Sequence, residues 1–117
     1  MPRKKQTREK LSPREARDLD IEIGFLEGVA RRDPGYTDAL VLLGDDYTRR
    51  GRFEEGLQID LRLVQLLPDS ALTHYNLACS LSLTHHPAAA VAALERAIDL
   101  VYRDFRWLRR DPDLSNV

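Results

Sequence analysis

The chain has 117 residues, of which 43% are apolar and 32% charged, so it is long enough for one small domain with a hydrophobic core. Its single cysteine, Cys79, excludes an internal disulfide and gives no sign of an oxidising compartment. The longest uncharged apolar run, residues 88–94, is far shorter than the ~20 residues that span a bilayer, and no secretory signal is visible, so we expect a cytoplasmic protein.

Charge is unevenly distributed along the chain. The formal net charge is -1, but residues 1–10 hold five basic side chains against one acidic side chain, which leaves the rest of the chain at -5. Residues 1–11 also contain few apolar side chains. We therefore predict a disordered basic arm at the start of the sequence.

Helix signals begin at Ser12, whose hydroxyl can cap a helix that starts at Pro13, with Glu15 completing a capping box. Apolar residues then recur at intervals of four and three along one face, and this set is Leu19, Ile23, Leu26 and Ala30. The segment Asp33-Pro34-Gly35, whose proline and glycine disfavour a helix, ends the pattern. The sequence therefore predicts a first helix over about 13–32.

Turn signals divide the rest of the chain into further predicted helices. Thr37 and Ser70 are the expected caps of the second and fourth helices, and Gly51 and the His85-His86 pair supply turns. The predicted ranges are 38–50, 53–67, 71–84, 87–102 and a short last helix over 104–110. No segment has the alternation of a strand, so we predict an all-α protein.

A constant interval separates matching residues in these helices, and we call it the repeat interval. Across it, Leu43-Gly44 recurs as Leu77-Ala78, Tyr47 as Leu81, Gly56 as Ala90, Leu63 as Ala97, and Pro34 as Pro68. A period of about 34 residues, which is the interval here, is typical of a helix-turn-helix unit that stacks on copies of itself. The small residues in this set predict places where two helices approach closely.

These residues resemble the pattern of a known family. Leu40-x2-Leu43-Gly44-x2-Tyr47, followed by Gly51, Phe53, Gly56, Leu63 and Pro68, is similar to the tetratricopeptide repeat, TPR. The chain departs from that pattern at Asp60, His74, His85 and Tyr102. Residues 107–114 are also similar to segments that follow the last repeat in some bacterial members.

The resemblance implies a right-handed α-solenoid of antiparallel helix pairs, with about two and a half repeats and a short C-terminal capping helix. The implied divisions are an arm (1–11), a TPR-like domain (12–110) made of a half repeat (14–36), a repeat (37–70), a repeat (71–104) and a cap (104–110), and a tail (111–117). Because at least three repeats are usually needed for stability, the outer helices are expected to act as caps that bury Ile23, Leu26, Phe105 and Trp107.

The resemblance also implies a concave groove lined by the first helix of each pair. The implied lining residues are Asp38, Val41, Leu42, Asp45, Thr48 and Arg49 from one repeat, and Leu72, Tyr75, Asn76, Cys79, Ser82 and Leu83 from the next. The family's clamp for an acidic C-terminal carboxylate needs lysine and asparagine where this chain has Val41 and Asp45, and an aspartate repels a carboxylate. We expect instead a peptide held by apolar groove residues, with Asn76 bonding its backbone.

No residue pattern indicates catalysis. No serine has a base and an orienting carboxylate at a recognisable spacing, and no glycine-rich phosphate loop is present. His74, His85 and His86 lack metal-ligand spacing, and we interpret Cys79 as a small, partly buried apolar residue instead of a reactive thiol. We expect no enzyme activity, no cofactor and no metal site.

We therefore predict a protein-interaction scaffold that binds a peptide or partner protein in the concave groove. The alternative is an accessory nucleic-acid-binding protein that uses the basic arm and the group Arg103, Arg106 and Arg110, which could equally hold an acidic partner. The arm lacks the interleaved aromatic residues that stack on bases, so nucleic acid is the less favoured partner. We expect no membrane partner, and self-association through the ends of the stack is a further outcome.

Overall fold

The computed structural model describes residues 10–110, and within them the side chains up to Arg106. Its helices are α1 (Pro13–Arg32), α2 (Thr37–Arg49), α3 (Phe53–Leu66), α4 (Ala71–Leu83) and α5 (Pro87–Arg110). No strand occurs in this part of the chain, which confirms the prediction of an all-α protein. The arm residues 1–9 and the tail 111–117 lie outside the described residues.

The start of α1 forms the capping box that the sequence predicts. The Ser12 hydroxyl accepts a hydrogen bond from the Glu15 backbone N–H at 3.1 Å, and a Glu15 carboxylate oxygen accepts one from the Ser12 N–H at 3.1 Å. These bonds favour the ionised carboxylate, so the pKa of Glu15 lies below its ordinary value. They satisfy two of the backbone N–H groups that a helix start leaves without partners.

The helix boundaries themselves recur at the repeat interval. Helices α2 and α4 both have 13 residues, and their first residues, Thr37 and Ala71, are one interval apart. Helices α3 and α5 begin at Phe53 and Pro87, which are again one interval apart. The period seen in the side chains is therefore also a period of the backbone.

The turns inside the two repeats share the same backbone geometry. Gly51 and His85 occupy equivalent positions, and both take a positive φ, of 82° and 65° respectively. In each turn the next residue donates its N–H to a carbonyl of the preceding helix, from Arg52 to Tyr47 and from His86 to Leu81, both at 2.8 Å. Glycine takes this left-handed conformation freely, whereas His85 takes it at a cost.

Extensive contacts join α1 to α2, α2 to α3, α3 to α4 and α4 to α5, so each helix packs mainly on its neighbours in sequence. One buried cluster connects the first three helices, and it includes Ile23, Leu26, Leu40, Leu43 and Leu63. A second connects the last three helices, and it consists of Leu57, Leu77, Ala78 and Ala93. The core is therefore a row of small clusters between consecutive helices.

Gly56 marks a close approach between α2 and α3. A Cβ atom at this position would lie 3.3 Å from the Thr48 hydroxyl oxygen and 3.7 Å from the Gly44 carbonyl oxygen. The predicted role of Gly56 in letting two helices approach is therefore confirmed. Its equivalent, Ala90, is only half-buried.

The predicted cap at Thr37 is wrong, because Tyr36 is the N-cap of α2 and no side chain caps this helix. The Tyr36 carbonyl accepts the first helical hydrogen bond, from the Leu40 N–H at 3.2 Å, which places Thr37 inside the helix. The prediction for Ser70 is confirmed, since its hydroxyl accepts a bond from the Thr73 N–H at 3.3 Å.

The predicted break between a fifth helix and a short capping helix is also wrong. Helix α5 continues through Tyr102 and Asp104 to Arg110, because no proline or glycine interrupts its backbone hydrogen bonds there. Ile23 and Leu26 are buried as expected, but Phe105 is 55% exposed and is not the buried cap residue that was expected. The Trp107 side chain lies outside the described part.

Candidate partner-binding groove

The predicted groove residues occupy equivalent positions on α2 and α4. The pairs related by the repeat interval are Asp38 with Leu72, Val41 with Tyr75, Leu42 with Asn76, Asp45 with Cys79, and Arg49 with Leu83. Helices α2 and α4 each pack on α3 and are not extensively in contact with each other.

The α2 set offers a mixed surface. Asp38 and Arg49 are exposed near opposite ends of the helix, and Leu42 between them is 50% exposed. Val41 and Asp45 are half-buried. Thr48 is buried, and its hydroxyl donates to the Gly44 carbonyl at 3.0 Å, so Thr48 is not available to a partner in the way the groove prediction requires.

The α4 set is more apolar and more enclosed. Leu72, Tyr75, Cys79 and Leu83 are all half-buried, and Ser82 is exposed. Tyr75 and Cys79 are one turn apart, and Cys79 raises the pKa of the Tyr75 phenol, first through the negative charge of its thiolate form and then through the hydrogen bond between the two side chains. This phenol and this thiol are two of the polar groups on the half-buried part of α4.

Asn76 does not fit the role that was predicted for it. It is 3% exposed and belongs to the buried part of α4, whereas its equivalent Leu42 is half exposed. An amide at this depth is not presented to the backbone of an incoming peptide. The family resemblance assigned Asn76 to the groove but did not show how deeply the neighbouring helices cover it.

The predicted basic group lies on α5. Arg103 and Arg106 are exposed, and the Arg106 guanidinium lies 5.8 Å from the centre of the Tyr102 ring. Arg110 ends the helix, and its side chain lies outside the described part. Arg103 and Arg106 are therefore accessible to an acidic partner, although α5 is not one of the two groove helices.

A polar cluster that the sequence did not reveal ties together α1, α2 and the start of α3. The Tyr47 hydroxyl donates to Glu27 at 2.5 Å, and the Arg52 guanidinium lies 4.8 Å from the centre of the Tyr47 ring while it donates twice to Glu55 at 2.7 Å. Burial, followed by the bond to Glu27, holds the pKa of Tyr47 above its ordinary value. The sequence identified Tyr47 only as a member of the repeat pattern.

A cleft of about 460 Å³ opens beside this cluster, between α1 and α3 and over α2. Its apolar wall includes Ala30, Leu43 and Ile59, and its charged residues are Glu27, Arg31 and Arg62. Arg62 also donates to the Pro34 carbonyl at 2.9 Å, which ties α3 to the turn before α2. None of the predicted groove residues lines this cleft, and no periodic signal in the sequence indicated it.

Two buried polar contacts occupy equivalent places in the repeats. Asp46 on α2 and Ser80 on α4 are related by the repeat interval, and each meets a carboxyl group of the preceding helix. The Ser80 hydroxyl donates to buried Asp60, whereas Asp46 meets the Glu22 carboxyl group. Burial first, and then Glu22, raises the pKa of Asp46 to about 7.

The three histidines lie in separate surroundings. His74 Nε2 is 2.8 Å from the Pro68 carbonyl, His86 Nδ1 is 3.0 Å from the Thr84 hydroxyl, and His85 occupies the turn. Across the part of the chain that the structure describes, no three histidine, cysteine or acidic side chains are grouped as a metal site would require. No helix in the same range is long and apolar enough to cross a bilayer.

Similarity to known proteins is limited. No family model matches the chain. Over 77 residues, which cover 63% of this chain, it is 31% identical to a protein of Arabidopsis thaliana whose name describes it as chloroplastic. The chain spans 23% of the length of that protein, so this similarity establishes neither a family nor a function for the chain. Because the name of that protein refers to the chloroplast, the cytoplasmic location of this chain stays a prediction.

Proposed function

We propose that the chain is a protein-interaction module of the TPR type, which binds a peptide or partner protein along α2 and α4. The observation that carries the proposal is the repeat of the backbone itself, in which α2 and α4 begin at Thr37 and Ala71 and the turns at Gly51 and His85 take the same handedness of φ. A helix pair of this length that contacts mainly its neighbours is the unit of a stacked repeat.

In the proposed right-handed solenoid, α2 and α4 are the first helices of their pairs and face the concave side. Helices α1, α3 and α5 are the second helices and face outward. The cleft between α1 and α3 then lies on the side opposite the groove. Leu42 and Tyr75 are the groove residues best suited to contact a partner. Leu42 is half exposed, and Tyr75 has an aromatic ring beside the Cys79 side chain.

The proposed ligand is an extended or helical peptide with apolar side chains. The half-buried residues Leu72, Tyr75 and Leu83 give α4 an apolar strip, and Asp38 and Arg49 provide charges of both signs on α2. An apolar anchor with a charged rim is the usual anatomy of a specific interface. The carboxylate-clamp mode is not proposed, because α2 carries Asp45 where that mode needs an amide.

A displayed peptide library tests the proposal without a known partner. The immobilised full chain is used for selection, and the affinity of a selected peptide is then measured for wild type, for Leu42→Ala Tyr75→Ala, and for the control Ile21→Ala Phe25→Ala on α1. Each groove truncation is expected to remove about 1 kcal/mol or more of binding, or roughly five-fold in Kd. Far-UV circular dichroism checks that each variant keeps its helical signal.

The same variants separate the alternatives. Equal affinities for the groove variant and wild type, with a loss in the α1 control, would show that peptides bind elsewhere. Salt-dependent retention on heparin that disappears when residues 1–10 are deleted would instead favour the nucleic-acid-binding alternative.

A further inference from the structure

The cleft between α1 and α3 has the size and the lining of a ligand pocket. Its volume is about 460 Å³, and sites for small molecules usually measure roughly 300–1,000 Å³. Ala30 and Leu43 are buried at its apolar surface, and Pro34 and Ile59 add to that surface. In pockets of this kind a few polar groups orient the ligand, so the charged residues of the cleft decide which ligand it fits.

The acidic residue that lines the cleft, Glu27, is already engaged by the protein. One of its carboxylate oxygens accepts the hydrogen bond from the Tyr47 hydroxyl, and the Arg52 guanidinium lies 3.7 Å from the same oxygen. Its negative charge is therefore balanced within the protein, and Glu27 does not require a cationic ligand.

Two arginine side chains line the cleft without an acidic partner. Arg31 is exposed in the last turn of α1, and Arg62 is half-buried on α3. Among the side chains that the structure describes, no carboxylate forms an ion pair with either guanidinium. Arg62 uses one N–H donor on the Pro34 carbonyl, and a guanidinium has five. Donors and positive charge therefore remain for a ligand.

Both arginines lie near the end of the cleft that is next to the turn between α1 and α2. Arg31 precedes Pro34 by three residues, and Arg62 bonds the Pro34 carbonyl, which ties α3 to this turn. A ligand that places an anionic group at this end can lay its apolar part on Ala30 and Leu43. The cleft therefore fits a molecule that is apolar along its body and anionic at its end.

A ligand with one negative charge suits the cleft better than a ligand with two. The Glu27 carboxylate lies in the same cleft, and its repulsion of an anion grows with the charge of that anion. A carboxylate carries a single charge and accepts two parallel N–H bonds from an arginine fork, whereas a phosphate monoester carries a charge close to two. The anionic group that fits is therefore a carboxylate.

The lining favours a small acid over the end of a peptide chain. Apart from the two arginines, the side chains that line the cleft are apolar or already hydrogen-bonded to each other, as Glu27 and Tyr47 are. The lining side chains therefore offer no unengaged group to pair with the N–H groups of a peptide backbone, and leaving such groups unpaired costs binding energy.

We propose that the cleft binds a small organic acid, with an aromatic or branched aliphatic body on the apolar surface and a carboxylate held by Arg31 and Arg62. The site uses none of the groove residues on α2 and α4. The proposal therefore stands independently of the proposed function.

An NMR titration of the full chain at neutral pH tests the site with 3-phenylpropionate as the probe. Amide chemical shifts of the α1 and α3 residues that line the cleft are expected to saturate with a Kd on the order of 1 mM, as for a ligand of this size. The neutral analogue 3-phenylpropionamide and the small anion acetate are each expected to bind roughly ten-fold more weakly, because one lacks the charge and the other lacks the apolar body.

Arg31→Gln is the main variant, because Arg31 is exposed and bonds no other residue that the structure describes. It is expected to weaken the probe roughly five-fold. The matched control is Arg32→Gln, which removes the same charge from the same turn of α1, where the side chain bonds the Gly28 carbonyl and does not line the cleft. Arg62→Gln is a second variant, and circular dichroism checks its folding because it also loses the bond to Pro34.

Several results would overturn the proposal. Amide shifts of the cleft residues that do not saturate well above the expected Kd exclude the site. Equal affinities for the acid and its amide, or equal losses in Arg31→Gln and Arg32→Gln, exclude the role given to the arginine. Tighter binding of phenyl phosphate than of 3-phenylpropionate shows that a dianion is preferred. Tighter binding of N-acetylphenylalanine than of 3-phenylpropionate shows that the cleft takes the end of a peptide chain instead of a small acid.

Discussion

Asp46 is a residue at which the structure predicts a gain in stability from a single substitution. Its side chain is buried, with 5% of the residue exposed, and one of its carboxylate oxygens has no hydrogen-bond partner. Replacing it with asparagine keeps the shape and removes the charge, and the new amide N–H can donate to the Glu22 carboxylate. We therefore expect Asp46→Asn to be more stable than wild type at about pH 8.

The size and sign of the effect follow from the pKa of Asp46, which is raised from 3.8 to about 7 in the folded protein. Between these two values the folded state holds a proton that the unfolded state has lost, so stability falls as pH rises from about 4 to about 7 and is level above that. A rise of roughly three pKa units at 1.36 kcal/mol each sets an upper limit of about 4 kcal/mol. At pH 8 the asparagine variant is expected to recover between about 1 and about 4 kcal/mol of the stability that wild type loses by ionising Asp46.

Urea unfolding followed by circular dichroism at a series of pH values from about 4 to about 8 measures this effect. The difference between wild type and Asp46→Asn isolates the one carboxyl group from all others that titrate. The control is Asp38→Asn, an exposed position on the same helix, where we expect a change within about 0.5 kcal/mol. Glu22→Gln should remove part of the pH dependence, because Glu22 is the second cause of the raised pKa and burial is the first. A variant Asp46→Asn that is no more stable than wild type at pH 8 would refute this reasoning.

Three further predictions test the repeat and its core. His85→Gly should raise, and Gly51→Ala should lower, the free energy of unfolding by roughly 1 kcal/mol each, because both positions have a positive φ; opposite signs in thermal melts would contradict the turn geometry. Tyr47→Phe removes a hydroxyl that donates to a carboxylate and should cost about 1 to 3 kcal/mol in urea unfolding; no loss would mean that this bond contributes nothing. Ala97→Leu on the buried face of α5 should cost roughly 1 to 3 kcal/mol, whereas Ala92→Leu on its exposed face should change stability by less than about 0.5 kcal/mol; equal melting temperatures would show that the helix faces are misassigned.

Local signals predicted the all-helical class and most of the helix boundaries. The capping box at Ser12, the breakers after Arg32 and the turns at Gly51 and His85 all lie where the sequence places them, because each depends on only a few neighbouring residues. The end of α5 was mispredicted because a break was placed between Tyr102 and Asp104, whereas the helix runs on to Arg110. No proline or glycine lies at this point, so nothing interrupts the backbone hydrogen bonds of the helix.

The site was harder to predict because burial depends on several helices at once. The family resemblance places Leu42 on a face of α2 that is accessible, but the same resemblance puts Asn76 in the groove, whereas this residue is buried. The contacts of Tyr47 with Glu27 and of Asp46 with Glu22 join residues of different helices that lie far apart in sequence, and no short-range pattern encodes them. Whether the groove residues bind a partner stays a prediction.

Because every extensive contact joins consecutive helices, the chain folds without closing long loops. Its contacts are local in sequence, and topologies of this kind lose little loop-closure entropy and fold quickly. Unfolding is then coupled only between helices that share an interface. The end helices α1 and α5 each pack on one neighbour, so they can unfold locally while the middle helices stay folded. Helix α3, which packs on both α2 and α4 and contributes to both buried clusters, is therefore the element whose backbone amides should exchange with solvent most slowly.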